Sequence, residues 1–448
     1  MKLFGTDGLR GRAGLFPLDA LSVRRIGCEL GRRLAGGQRR KAVIGGDTRE
    51  STQAITAGLA AGIVEGGGEV AAAGVLTTPG VAEVVLELSA GAGISVSASH
   101  NPWEDNGIKI FGADGRKWPD ADEDALEKTL LHPDGRTQET FAPEAPETDP
   151  RLARLYLDRL ARSVPVRLDG LRVLMDAGNG AAYRLGPDAL RRAGADVSAI
   201  CDAPDGRNIN EKCGALHPEG MAAAVSDRGM SLGVAYDGDA DRSIFSDENG
   251  RILDGDDVLW VIAKDWKRKG ILAAGGVVGT VMSNFGLEAA LAREGIPFRR
   301  SAVGDRNVAR LMEETGAPIG GETSGHVLLP FSPAGDGILT TLLLASIVVE
   351  SGKPISQLAT LEKTPQALRN VRVARRLPLE EAETVQREWK RALARLERRG
   401  RVFLRYSGTE PLLRVLVEGP DAAEVSEIAD ALESAVHADF DRLGQAAS

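Results

Sequence analysis

Five short runs of apolar and small residues, at 41–44, 91–97, 171–175, 232–236 and 276–281, constrain the fold most, because each is strand-length and several run straight into Gly- or Asp-rich turns. They predict buried strands. Ala- and Leu-rich stretches such as 53–65 and 287–293, punctuated by polar residues, predict amphipathic helices between them. Strands alternating with helices make an α/β protein. At 448 residues the chain exceeds one hydrophobic core and calls for about three or four domains. The Pro- and Asp-rich stretch 132–150 has little apolar periodicity and reads as the first linker. Fresh strand–turn–helix patterns begin at Leu171 and Gly276. After Thr364 come an extended segment, a charged helix over 379–398, strands around Val402 and Arg414, and a last helix after Pro420. The expected architecture is three similar α/β mixed-sheet domains, 1–150, 151–250 and 251–364, plus a smaller α+β domain, 365–448.

The net charge of -9 argues against nucleic-acid and anionic-membrane partners while leaving room for a locally basic pocket. Cys28, Cys201 and Cys213 are too few and too scattered for a disulfide framework or a Cys-rich zinc site, so a reducing cytoplasm is the simpler setting. The first residues lack a signal-peptide core. The charge-free stretch 271–287 is broken by glycines and polar residues and reads as strand–turn–helix rather than a membrane span.

The chemistry concentrates in four loops. Past the strand at 232–236, Asp237, Asp239 and Asp241 place three carboxylates at every second position, followed by Arg242. On a tight loop they converge into an all-oxygen set suited to a hard cation such as Mg2+, with Arg242 able to pair with a phosphate. Asp237, Asp239, Asp241 and Glu248 also match EF-hand spacing, but Arg242 occupies the sharp-turn glycine position and the flanks read as strands. A solvated acidic turn is the bland alternative, and the tyrosine and apolar residues leading into the loop speak against it.

At the end of the strand 91–97, Ser99 precedes His100, Asn101 and Pro102. The Asn-Pro break exposes a candidate nucleophile, and Lys109 supplies a nearby cation. A Ser-His dipeptide alone reads more readily as a turn, so its surroundings decide. The loop 320–326 offers Glu322 and Ser324 to vicinal hydroxyls. The loop 405–410 gathers Arg405, Ser407, Gly408 and Thr409 into a phosphate nest. Either loop alone could be a simple turn. No Walker A, H-E-x-x-H or dinucleotide G-x-G-x-x-G pattern occurs, so no nucleotide cofactor is indicated.

Taken together and in this order, the four loops resemble the α-D-phosphohexomutase superfamily over essentially the whole chain. Phe4-Gly5-Thr6-Asp7-Gly8-Leu9-Arg10-Gly11, Asn208-Ile209-Asn210 with Cys213-Gly214, and Gly321-Glu322 resemble its bacterial phosphoglucosamine mutase branch. The resemblance implies four domains around a central cleft in a heart-shaped enzyme. It implies Ser99 stored as phosphoserine, with Mg2+ bridging it to Asp237, Asp239 and Asp241. The implied reaction interconverts glucosamine 6-phosphate and glucosamine 1-phosphate through a sugar 1,6-bisphosphate. His100, Lys109 and Arg10 take the proton-transfer or charge-stabilising positions. Arg242, Glu322, Ser324 and His326 contact substrate, and Arg405, Ser407, Gly408 and Thr409 take the distal phosphate. Among the proton carriers Lys109 is favoured, on the expectation that a neighbouring metal depresses its pKa, whereas Arg10 stays charged.

Thr323, Ala240 and Ala215-Leu216 depart from that branch, and Tyr406 is similar to the phosphomannomutase and phosphoglucomutase branches. A hexose phosphomutase is therefore the alternative activity, and a non-catalytic sugar-phosphate sensor the alternative of another class. His132 and His437 are expected in solvent, His217 in a motif loop, and Cys213 in packing. A homodimer is the candidate assembly.

Overall fold

In the computed structural model, which describes residues 2–5, 7–131, 144–164, 167–373, 376, 378–406 and 412–445, four sheets follow one another along the chain. In the first, Lys41–Gly46 runs parallel to Glu69–Val75 on one side and to Ala92–Val96 on the other. Asp105–Phe111 then returns antiparallel, and Gly8–Arg12 and Phe4–Gly5 extend that edge. The second sheet repeats the plan: Arg172–Asp176 lies parallel between Asp196–Ile200 and Leu232–Tyr236, with Ser243–Ser246 and Ile252–Leu253 antiparallel at the edge. In the third, Val277–Thr280 is parallel to Phe298–Ser301 and Ile319–Gly321, and Val327–Leu328 closes the edge antiparallel. The fourth is smaller and wholly antiparallel, with Leu412–Glu418 between Gln366–Arg372 and Arg401–Tyr406. Mixed α/β sheets followed by a smaller α+β element are the architecture the sequence predicts.

Ala92–Val96 and Leu232–Tyr236 are buried along their whole length. Both faces of these central strands are covered, which is why they read as continuous apolar runs rather than alternating ones. Register then delivers two cations to one place. Ser95 pairs with Lys109, on the strand next to Ala92–Val96, and Arg10 pairs with Gly107 one strand further out.

One face of the first sheet is covered by helices Ala20–Ala35 and Thr52–Glu65, the first capped by Asp19, which accepts from Ser22 N at 3.0 Å. The helices meet through Gly27 and Gly31 on one and Gly62 and Gly66 at the end of the other. A Cβ at Gly62 would stand 2.2 Å from the Arg24 carbonyl oxygen.

The chain divides into two compact units, residues 1–282 with 296–360, and residues 283–295 with 361–448. In the second, helices Glu383–Leu396 and Ala422–Gln445 cover the antiparallel sheet over a core that includes Val371, Leu404, Val415 and Leu432. Helix Phe285–Arg293 belongs to this unit. Asn284 caps it and also donates to the Thr364 carbonyl at 3.0 Å, while the buried Glu418 carboxylate accepts from Phe285 N at 2.9 Å. Among the described residues no helix is long and apolar enough to cross a membrane.

Candidate active site

Ser99 adopts a left-handed backbone conformation (φ 54°) immediately after the buried strand Ala92–Val96. Such a conformation is uncommon outside glycine and needs support from its surroundings. The support is visible. Arg49 Nη2 and Asn210 Nδ2 each donate to the Ser99 carbonyl at 3.0 Å, and Ser99 N donates to Ser97 Oγ at 2.9 Å. Arg49 is itself buried and paired with Asp47. The hydroxyl is thereby aimed at Asp237, to whose Oδ2 it donates at 2.6 Å.

Asp237, Asp239 and Asp241 are all buried, each with a carboxylate oxygen within 4.8 Å of the other two. Ala240 takes the left-handed turn between the last two (φ 57°). Burial first, then Asp241 and Asp239, push Asp237 well above the ordinary carboxylate range. Oδ1 of Asp239 and Oδ1 of Asp241 are buried without a hydrogen-bond partner. Three crowded carboxylates, two of them with an oxygen that lacks a hydrogen bond, form a donor set that fits a hard divalent cation.

Lys109 is buried beside this set. Its ammonium lies 2.7 Å from Asp239 Oδ2, 2.9 Å from Asp241 Oδ2 and 2.9 Å from Asp7 Oδ2. Burial works against its charge, but the three carboxylates prevail and hold its pKa well above the usual lysine value. These three carboxylates thus favour the ammonium form of Lys109. His100 behaves oppositely. Burial, Arg242 and Arg10 bring its pKa down to about 4. Its Nδ1 lies 3.2 Å from Ser99 Oγ and 3.3 Å from Arg242 Nη1. A guanidinium can only donate, so Nδ1 carries the lone pair and His100 accepts.

Glu322 accepts from Gly304 N at 3.0 Å through Oε1, and its own N–H bonds the His326 carbonyl, closing the 322–326 loop. Ser324 lies exposed at its tip, and Thr323 donates to Asp256 at 3.2 Å. His326 is buried, with Nδ1 3.7 Å from Asp241 Oδ1 and Nε2 3.7 Å from Asp305 Oδ2. Burial opposes its protonation, but these two carboxylates raise its pKa above the usual value. Asp305 also pairs with Lys117 at 2.6 Å, and Lys117 pairs with Asp7. Asp7, Lys117, Asp305, His326, Asp241 and Lys109 thus form a closed ring of alternating charge, with Arg10 bound to Asp7 from outside.

The structure brings Ser99, His100, Lys109, Arg10, the three aspartates, Arg242 and His326 into this one network. Arg405 is exposed on the strand Arg401–Tyr406 of the other compact unit, and Ser407, Gly408 and Thr409 lie outside the described residues, as does His132. His217 and His437 are exposed. Sequence reasoning gave no role to Asp7, although it stands in the quoted N-terminal motif, nor to Arg49, Lys117 or Asp305, whose polar turns carry no local signal. In sequence the three cysteines are scattered. Cys201 and Cys213 in fact meet beside Asp176, with one ligand-type atom of each within 4.8 Å of the others. The Asp176 carboxylate is already engaged by Gly178 N at 2.8 Å and Gly214 N at 2.9 Å, and burial raises both thiols. This cluster holds two loops together.

Four segments match the models of phosphoglucomutase/phosphomannomutase domains: alpha/beta/alpha domain I over residues 1–136, domain II over 154–250, domain III over 254–364 and the C-terminal domain over 368–435. A phosphoglucosamine mutase of Symbiobacterium thermophilum is 45% identical over 446 residues, covering 98% of this chain and 99% of that protein. One of Solibacter usitatus is 45% identical over 442 residues, covering 97% and 98%. Among solved structures, a phosphoglucomutase/phosphomannomutase family protein from Burkholderia thailandensis superposes with a TM-score of 0.81 at 24% identity, covering 98% of this chain and 97% of that one. Aspergillus fumigatus N-acetylphosphoglucosamine mutase, in complex with GlcNAc-6P and magnesium, gives 0.69 at 18% identity, with 98% and 96% covered. At these identities the two structures speak to the fold.

Proposed function

The chain belongs to the phosphoglucosamine mutase family, and from that premise we propose that it interconverts glucosamine 6-phosphate and glucosamine 1-phosphate, feeding amino-sugar and cell-wall precursor synthesis. The observation that carries the proposal is the Ser99 hydroxyl held 2.6 Å from Asp237 at the edge of the buried aspartate triad.

In this reading Ser99 carries the phosphoryl group. A sugar hydroxyl attacks phosphoserine and takes the phosphoryl group, giving the sugar 1,6-bisphosphate and freeing the Ser99 oxygen. The bisphosphate turns around, Ser99 attacks its other phosphoryl group, and the product leaves with one phosphate. Asp237, Asp239 and Asp241 beside Ser99 would hold Mg2+, which would supply charge stabilisation to the transferring group. The side chains of Lys109, Arg242 and Arg10 add positive charge to that field. Asp237 Oδ2 is the acceptor that faces the Ser99 proton when the hydroxyl acts as nucleophile. His100 Nδ1, neutral and accepting, orients the Arg242 guanidinium. We assign Glu322, Ser324 and His326 to the sugar and Arg405, Ser407, Gly408 and Thr409 to the phosphate that is not in transfer. We further take the chain as four domains, 1–150, 151–250, 251–364 and 365–448, acting in the cytoplasm on a phosphosugar as a homodimer, with neither nucleic acid nor membrane as partner.

The test is the initial rate on glucosamine, glucose and mannose 6-phosphates, with Mg2+ and catalytic sugar bisphosphate, for the wild type and Ser99→Ala. A glucosamine preference that collapses in Ser99→Ala is expected. A preference for glucose or mannose would discard the substrate, and undiminished turnover by Ser99→Ala would discard the phosphoserine.

A further inference from the structure

Lys109 stands at a division of labour among carboxylate oxygens. Its ammonium takes Oδ2 of both Asp239 and Asp241, whereas the two Oδ1 atoms are buried without a hydrogen-bond partner. An ammonium has three N–H donors. Asp7 Oδ2 stands 2.9 Å from the same ammonium as a third ion-pair partner. Burial opposes ionisation of Asp7, but Lys109 and Lys117 hold its carboxyl well below the usual range. Its other oxygen is fixed by Lys117, which is anchored in turn on Asp305.

We propose that Asp7 is a positioning residue for the cation site: by taking a share of the Lys109 ammonium it keeps that charge from settling wholly on Asp239 and Asp241, and so leaves the triad its affinity for a divalent ion. The inference rests on the reading of the triad as a cation site. A divalent ion and a lysine ammonium beside the same two carboxylates repel each other in a poorly screened interior, and a third carboxylate on the far side of the lysine offsets that repulsion. Metal-binding carboxylates are commonly oriented by such outer partners. Asp7 touches none of the triad's oxygens through a donor of its own, so its action passes through Lys109. Lys117 and Asp305 act one step further out, by keeping Asp7 in place.

The experiment is Mn2+ binding to the full-length protein without substrate, followed by the paramagnetic resonance signal of free Mn2+, for wild type, Asp7→Asn, Lys109→Met and the double variant. One equivalent bound by the wild type is the check on the cation reading itself; no binding there would overturn that reading and this inference together, independently of any mutase assay. Given wild-type binding, Asp7→Asn is expected to weaken affinity about tenfold in the native background and no more than about threefold beside Lys109→Met. The residual loss is the direct effect of one fewer negative charge. Equal losses in both backgrounds, or no loss in Asp7→Asn, would overturn the inference. So would failure of Lys109→Met to bind Mn2+, because the two Oδ1 atoms are free of that lysine. Should Asp7→Asn not fold, as judged by circular dichroism, Asp7→Glu replaces it. Glu keeps the charge but is one methylene too long, and the same pattern is expected at smaller amplitude.

Discussion

Replacing Asp336 by Asn should abolish a pH dependence of stability that the wild type carries between about pH 4 and 7. Asp336 is buried at the N-cap of helix Gly337–Ser351, where Oδ1 accepts from Leu339 N at 2.9 Å and Tyr156 donates its hydroxyl to the carboxylate at 2.9–3.0 Å. Burial, aided by Glu83, raises its pKa to about 7 despite those hydrogen bonds. An unfolded aspartate titrates near about 3.9. The folded protein therefore binds the proton more tightly than the unfolded chain, and unfolding between these two values releases it. Stability is full below about pH 4 and falls as pH rises toward 7. A gap of about three pKa units, at about 1.4 kcal/mol each, corresponds to on the order of 4 kcal/mol by neutral pH. Asn imitates the protonated acid, keeping one acceptor for the cap and one donor. Urea unfolding of wild type and Asp336→Asn from pH 4.5 to 8 should give curves that coincide at the acid end, with the variant the more stable by up to a few kcal/mol at the other. The difference between curves cancels every other titrating group. Parallel curves would refute the reasoning, since they would mean that Asp336 is ionised throughout. The result bears on the active site, because Gly337 N at the start of this helix donates to the carbonyl of Ala240 at 3.0 Å.

Gly62→Ala should cost about 1–3 kcal/mol or more in urea unfolding, because the added Cβ meets the backbone of the opposing helix at Arg24 and Cys28, which cannot rotate aside; a neutral effect would mean that the helices slide apart freely. Arg405→Ala should raise KM for the sugar phosphate about 10- to 100-fold, the equivalent of about 1.5–3 kcal/mol for a charge-assisted hydrogen bond, and leave kcat within a few-fold. An unchanged KM would remove Arg405 from the phosphate site.

The legible parts of this protein are those whose physics is local. Strands such as Leu232–Tyr236 announce themselves because both faces are covered and every residue is apolar or small. The aspartate triad announces itself because its three members share one loop. What the sequence hides is produced by register and by return of the chain. Lys109 reaches the triad only because Asp105–Phe111 pairs backwards on Ala92–Val96. Lys117 and Asp305 lie far apart in sequence and are joined by an ion pair 2.6 Å long. The same nonlocality hides the three carboxylates that surround the Lys109 ammonium. Cys201 and Cys213 look unrelated until a strand end and a loop bring them to Asp176.

The placement of residues 283–295 bears on how the protein is made. Helix Phe285–Arg293 leaves the ribosome well before its partners, since the carboxylate that receives Phe285 N belongs to Glu418, 133 residues later. At about 5–20 residues per second, that separation is about 7 to 27 s of synthesis. During this interval a nine-residue helix, too short to persist alone in water, has none of the second unit's sheet to pack against. The C-terminal unit therefore cannot be completed until Glu418 has been synthesised. A fragment of 361–448 alone would need residues 283–295 restored to it as a graft, because a cut that frees it leaves that piece behind, and a cut before 283 carries 296–360 of the other unit along.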